Sequence, residues 1–182
     1  MLKVISRALA GFVLPACVFV FFNLPVNAQQ IRNEVIGENN EGVRHLNKEE
    51  YQLAIDKFRN TLKMDPSYSL ALENLLIAHN QYGLKLMKTN PKGALAQFHQ
   101  VAYVNPNFPS IDRNMDDAIK AMGKNPESFY VREELGKVAK AEGDLRGAHV
   151  EYKNALKLMD EAHVDVVKSV AQVEKQIQET AP

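Results

Sequence analysis

From Ile31 onward, apolar residues recur at intervals of three and four, and no stretch sustains an alternation of apolar and polar positions. That spacing is helical, so the predicted class is all-α. A first helix is predicted over about Ile31 to Asn47, with Asn47 as cap of the next and Glu50 completing a capping box. The second helix runs to about Lys63, where Asp65-Pro66 stops it. A third, starting near Ser67 and carrying Leu70, Leu72, Leu75, Leu76 and Ala78, is expected to continue past Gly83 to about Lys88. Asn90-Pro91 restarts the chain as cap and first helical residue of a fourth helix, which ends near Tyr103 before Asn105-Pro106. A short helix follows between Pro109 and Met122, striped by Ile111, Met115, Ala118, Ile119 and Met122. Asn125-Pro126 opens a further pair that turns at Gly143-Asp144 and reaches Met159. A last helix from about Glu161, with Val166, Val170, Val173 and Ile177 on one face, is placed to cover the end of the array.

Small and aromatic residues fall at recurring intervals. Gly42, Ala54, Phe58 and Pro66 form one set, Gly136, Ala148, Tyr152 and Asp160 nearly repeat it, and Ala94, Phe98 and Pro106 return it in part. Two antiparallel helices approach closely only where small residues sit, which assigns Gly42 with Ala54 and Gly136 with Ala148 to crossings. Phe58, Phe98 and Tyr152 are then expected to fill the gaps between neighbouring pairs. A helix–turn–helix unit that recurs in this way is a stacking module and says little about catalysis.

With these residues the chain resembles a tetratricopeptide repeat protein. The best unit is Phe129 to Met159, with Leu135-Gly136, Ala139, Gly143-Asp144, Ala148, Tyr152, Ala155 and Leu156 in the family's places. The unit from Gly42 to Pro66 adds Tyr51, Ala54, Ile55 and Phe58. The resemblance implies a short α-solenoid of about three helix pairs, at 35–68, 69–106 and 126–160, with an extra helix at 109–122 and a capping helix at 161–179. The middle unit is the divergent one. Ala54 to Ala94 spans 40 residues and Ala94 to Ala148 spans 54, against a family repeat of ~34. A lengthened third helix accounts for the first excess, and the helix after Pro106, without an obvious partner, for the second. Glu38 and Glu41 stand where the family places apolar residues, so the first pair is expected to be loosely formed.

The start of the sequence changes the picture of location. Lys3 and Arg7, the apolar run from Ala8 to Phe22 and the small-residue motif Val26-Asn27-Ala28 predict an export leader at 1–28, cleaved after Ala28. The same run approaches membrane-span length, so an uncleaved anchor is the rival reading. Leu14-Pro15-Ala16-Cys17 also resembles a lipid-attachment box, although Val18 to Phe22 continues apolar after the cysteine. Cys17 is the only cysteine, so cleavage removes every disulfide, zinc-thiolate and thiol-nucleophile option. A bacterial periplasm is the setting these features favour. The 182 residues carry 22 basic and 22 acidic side chains. That balance is no footprint for nucleic acid.

Candidate chemistry is sparse. His45, His79, His99, His149 and His163 form no metal-spaced motif. His163 near Asp160 and Asp165 reads as a solvated helix turn rather than a metal site. Glu49-Glu50, Asp116-Asp117 and Glu133-Glu134 are adjacent residues that point in different directions on a helix and read as solvated faces. No glycine-rich phosphate loop or nucleophile elbow is present, and no cofactor is expected.

In the family that the chain resembles, the first helix of each pair lines a concave groove. The resemblance therefore implies Asn39 and Val43, then Glu73, Ile77 and Asn80, then Tyr130, Glu133, Lys137 and Lys140 as partner-facing positions. Their mixture of amides, apolar groups and both charges suits an extended peptide or a partner helix. The basic pair with which some members hold acidic chaperone tails is absent, since Asn39, Val43, Tyr130 and Glu134 occupy those places. The expectation is an exported protein-binding adaptor, with a structural subunit of an envelope complex as the alternative.

Overall fold

The computed structural model describes residues 28–159 and 164–180, which form eight helices and no strand. They are α1 (Ala28–Asn47), α2 (Tyr51–Met64), α3 (Ser69–Leu86), α4 (Pro91–Val104), α5 (Ile111–Ala121), α6 (Phe129–Ala141), α7 (Leu145–Lys157) and α8 (Val164–Thr180). Residues 1–27 of the leader with Cys17, Asp160, residues 161–163 of the expected last helix with His163, and the side chains of Asp165 and Val166 lie outside what is described.

Short turns fold α1 on α2, α3 on α4 and α6 on α7 as antiparallel pairs. Each second helix also packs on the helix that follows its pair: α2 on α3, α4 on α5, α7 on α8. The result is an all-α, solenoid-like stack.

Local signals set most helix ends. Asn90 Oδ1 accepts from the Gly93 N–H at 2.9 Å and Asp144 Oδ1 from the Gly147 N–H at 3.0 Å, so both predicted starts are capped. The start of α2 differs from expectation. α1 absorbs Asn47, α2 begins after Glu50 with no side-chain cap, and Glu50 bonds His45 Nδ1 at 2.6 Å instead. Glu49 takes the left-handed conformation, φ 59°, that reverses the chain there.

One crossing is used three times. A Cβ on Gly42 would lie 2.5 Å from the Phe58 ring, on Gly83 2.4 Å from Phe98, and on Gly136 2.6 Å from Tyr152. The aromatic ring thus lies under the glycine of its own pair, and Phe58 and Tyr152 also belong to the clusters that reach the following helix, α3 and α8 respectively. Removing the Cβ lets each ring sit at the axis of closest approach, and burying such a ring contributes about 2–3 kcal/mol. The middle pair, read from the sequence as divergent, is built like the others through Gly83 and Phe98.

α3 continues past Gly83 as expected and ends at Leu86, two residues short of Lys88. Two further expectations are corrected. The first pair is closely packed, because Lys57 reaches both Glu38 at 3.2 Å and Glu41 at 2.6 Å. The helix after Pro106 has partners: α5 occupies beside α4 the place that α3 occupies beside α2, and it buries Ile111, Met115, Ala118 and Ile119 there. α8 caps α7 as expected, through Val170, Val173 and the half-buried Ile177.

Candidate functional site

The first helices α1, α3 and α5 run in the same direction and are tied by asparagines. Asn74 Nδ2 donates to Asn39 Oδ1 at 3.1 Å, and Asn114 Nδ2 donates to Asn80 Oδ1 at 2.9 Å. The two bonds span 35 and 34 residues, and each links one of these helices to the next. Asn39 is buried at 1% exposure. Its amide is therefore spent inside the stack, and Asn80 is partly so. Val43 is half-buried against the Ala54–Phe58 cluster.

The remaining expected positions divide between two places. Glu73 and Ile77 border an open cleft of about 610 Å³ on α3, together with Leu72, Leu76, Val104 and Phe108. Tyr130 stands on α6 with 71% of its surface exposed, its ring edge-on to Phe129. Glu133 pairs with Lys137 at 2.6 Å, and Lys140 donates to Gln172 of α8 at 2.7 Å. The nine positions therefore do not form one continuous groove: α6 packs mainly on α7 rather than extending the α1–α3–α5 face.

Sequence reading missed a buried ionic joint where the last pair meets the rest of the stack. His99 Nε2 on α4 donates to Glu151 Oε1 on α7 at 2.7 Å. Arg132 on α6 reaches Glu151 Oε2 at 3.1 Å, donates from Nε to the Pro126 carbonyl at 2.9 Å, and pairs with Asp116 on α5. His99 Nδ1 faces Asp144 Oδ2 at 3.6 Å, a charge contact too long for a hydrogen bond. Glu151 has no exposed surface, and His99 and Arg132 have almost none. Four helices thus meet through three charges withdrawn from water, His99, Glu151 and Arg132, and the partly exposed Asp116.

The charge states follow from that enclosure. Burial opposes a charge on His99, but the Asp144 and Glu151 carboxylates more than offset it and raise its pKa to about 9. Burial would likewise raise Glu151, and His99 with Arg132 holds it below the usual carboxylate range. Asp144 is also lowered: its burial is outweighed by His99 and the Gly147 N–H. His79, on α3, behaves oppositely. Burial pushes it down to about 4 despite its bond to Gln97 Oε1 at 2.7 Å, so it is neutral.

Asp116 was read as part of a solvated acidic pair; its partner Arg132 makes it part of this joint. A signal for the joint exists in the sequence. Glu151 falls on the stripe Ala148, Glu151, Tyr152, Ala155, and Arg132 on the stripe Arg132, Gly136, Ala139. His99 likewise falls between Leu95 and Ala102. Charged residues on an apolar stripe announce buried partners.

Among the described residues, no group of three His, Cys, Asp or Glu is placed to hold a metal ion, and no helix is long and apolar enough to cross a membrane. Comparison of the sequence with models of known families and with curated proteins gives no match in either case.

Proposed function

We propose that the protein is a non-enzymatic adaptor, built from tetratricopeptide-type helix pairs and exported to the cell envelope, that holds an extended segment or helix of a protein partner. The observation that carries this reading is the α1–α3–α5 face. Three helices run side by side in the same direction, joined by Asn39–Asn74 and Asn80–Asn114. Such a face offers a partner a fixed, ordered surface of little conformational cost. The glycine-against-aromatic crossing shared by all three pairs supports the repeat type. Lys3, Arg7 and the apolar run to Phe22 support export.

Affinity capture from an envelope fraction tests the proposal. The wild-type protein is compared with Ile77→Asp on α3 and with the double variant Tyr130→Ala, Lys137→Ala on α6. Binding on the α3 side predicts loss of the captured partner with Ile77→Asp, and a contribution from α6 predicts weaker capture by the double variant. A partner retained equally by all three would remove both surfaces from the reading.

A further inference from the structure

The cleft on α3 has a counterpart one repeat earlier. α3 begins 14 residues before its crossing glycine and α1 is described over the same 14 before its own, whereas α6 begins 7 before its glycine. The two additional turns project beyond the crossing and form one wall of a cleft. On α3 that wall is Leu72, Leu76 and Ile77, closed by Val104 and Phe108. On α1 it is Ile31, Val35 and Ile36, closed by Met64 and Tyr68.

The correspondence holds position by position. Ile31, Val35 and Ile36 precede Leu72, Leu76 and Ile77 by 41 residues, the interval from Gly42 to Gly83. Met64 and Tyr68 precede Val104 and Phe108 by 40, the interval from Phe58 to Phe98. Each cleft measures about 610 Å³. That volume lies in the range of ~300–1,000 Å³ typical of ligand pockets. Ile31, Ile36 and Met64 in one, and Leu72 and Val104 in the other, remain exposed.

Two positions differ in kind. Arg32 borders the α1 cleft where Glu73 borders the α3 cleft, and Asp65, at the end of α2, borders the first where Asn105 borders the second. Asp65 Oδ1 is already engaged, accepting from the Ser67 N–H at 2.9 Å and the Ser67 hydroxyl at 2.6 Å. Arg32 and Glu73 are the only side chains of formal charge on the two helix walls, and among the described residues neither forms an ion pair. An anionic membrane surface would favour basic residues at both places. Opposite charges at equivalent places favour a polypeptide of mixed charge.

We propose that the paired clefts bind one extended segment of a partner protein through two large apolar side chains, with an acidic residue at Arg32 and a basic residue at Glu73. Neighbouring helices lie about 8–10 Å apart, and an extended chain advances ~3.3 Å per residue, so the two anchors are about three residues apart. This inference rests on the adaptor reading and specifies the chemistry of what it holds. It also places the contact beyond the crossing glycines, on turns that α6 lacks.

Fluorescent peptides with two leucines three residues apart test it, the leucines flanked by one glutamate and one lysine, by two lysines, or by two glutamates. With the wild-type protein the mixed peptide binds tightest, by about threefold to fivefold over the others. Arg32→Glu shifts the preference to the two-lysine peptide, and Glu73→Arg shifts it to the two-glutamate peptide. Leu72→Asp and Ile31→Asp each weaken the mixed peptide by more than about tenfold. Circular dichroism establishes that these exposed substitutions leave the helices intact; the charge variants decide the matter should either aspartate variant fail to fold.

Equal affinity for the three peptides, or no binding at millimolar concentration, overturns the proposal. So does self-association that Leu72→Asp abolishes, which would make a second copy the occupant. Adsorption to anionic vesicles that Ile31→Asp abolishes would make it a lipid surface, with the same consequence. Envelope capture that survives Arg32→Glu and Leu72→Asp would remove the clefts while leaving the adaptor reading in place.

Discussion

The joint between the first two pairs and the joint before the last pair solve the same packing problem with different chemistry. The first is apolar: Ala54, Ile55 and Phe58 of α2 close on Ala78 of α3, with one amide bond, Asn39–Asn74, across the top. The second joins α4, α5, α6 and α7 through His99, Glu151, Arg132 and Asp116. The difference follows from regularity. α3 enters the next place in the stack, where repeated small residues already fit. α5 occupies the corresponding place beside α4, so the α6–α7 pair docks against α4 outside the regular step. Apolar contact is non-directional and accepts many such docking angles. Charged hydrogen bonds are directional, and a buried network left half satisfied is costly. The charges thus select one arrangement, while Val131, Leu135 and Val150 supply the apolar contact.

The largest expected effect separates those two roles. Arg132→Met leaves Asp116 unpaired and Glu151 with His99 alone, at an expected cost of ~3–5 kcal/mol by urea denaturation. Replacing His99, Glu151 and Arg132 together by Leu, Leu and Met recovers part of that stability, because the fully buried Glu151 charge is gone and the carboxylates left over, Asp116 and Asp144, keep access to water. In that variant small-angle scattering should show a broader distribution of shapes, since the α6–α8 portion has lost its directional tie. A triple variant with the wild-type scattering profile would show that the apolar contacts alone fix the angle.

A second substitution compares the pairs rather than the joints. Gly42→Val and Gly136→Val press on equivalent buried rings. Each is expected to cost about 2–3 kcal/mol by urea denaturation, with the two values alike. A much smaller cost in the first pair would mean that it is held more loosely than its geometry indicates.

The two buried histidines respond to pH in opposite directions, His99 at the second joint and His79 inside the α3–α4 pair, where it bonds Gln97. His99 is raised to about 9, so its contribution is complete below pH 6.5 and is lost as pH rises from there through 9. His79 is lowered to about 4, so stability is lost as pH falls from 6.5 towards 4, where the unfolded chain binds a proton that the folded chain refuses. Below that range, protonation of Glu151 and Asp144 removes more. The melting temperature should peak near pH 6.5 and fall by about 5 °C or more along each arm. His99→Gln flattens the alkaline arm and His79→Gln the limb between 6.5 and 4. A profile on which neither substitution acts would refute both assignments.

The smallest effect is expected at the amides. Asn39→Ala removes one hydrogen bond and leaves Asn74, which water can reach, at a cost of about 1 kcal/mol in a thermal melt. Asn80→Ala, at a less buried site, should cost less. Values near those of Arg132→Met would erase the distinction between the two joints.

Much of the fold was legible in the sequence because its signals are local. The 3.6-residue period, Asn90-Pro91, Gly143-Asp144 and the intervals from Gly42 to Phe58 and Gly136 to Tyr152 act within one helix or one turn. The middle pair was harder to read, since Gly83 precedes Phe98 by 15 residues where the other two intervals are 16. Of the candidate partner-facing positions, sequence placed Glu73, Ile77, Tyr130 and Lys137 where a partner can reach them, but it also assigned Asn39, which is buried. An asparagine on a helix face reads the same whether it meets a partner or the next helix.

The sequence by itself determined the helices, their pairing and the crossing residues, because those depend on periodicity, caps and the absence of a Cβ at three points. Only the tertiary structure decided where α5 and the α6–α7 pair sit, and with them the His99–Glu151–Arg132–Asp116 joint. Its members lie 16 to 52 residues apart along the chain. No local rule links them, and their charges and burial exist only once four helices have met.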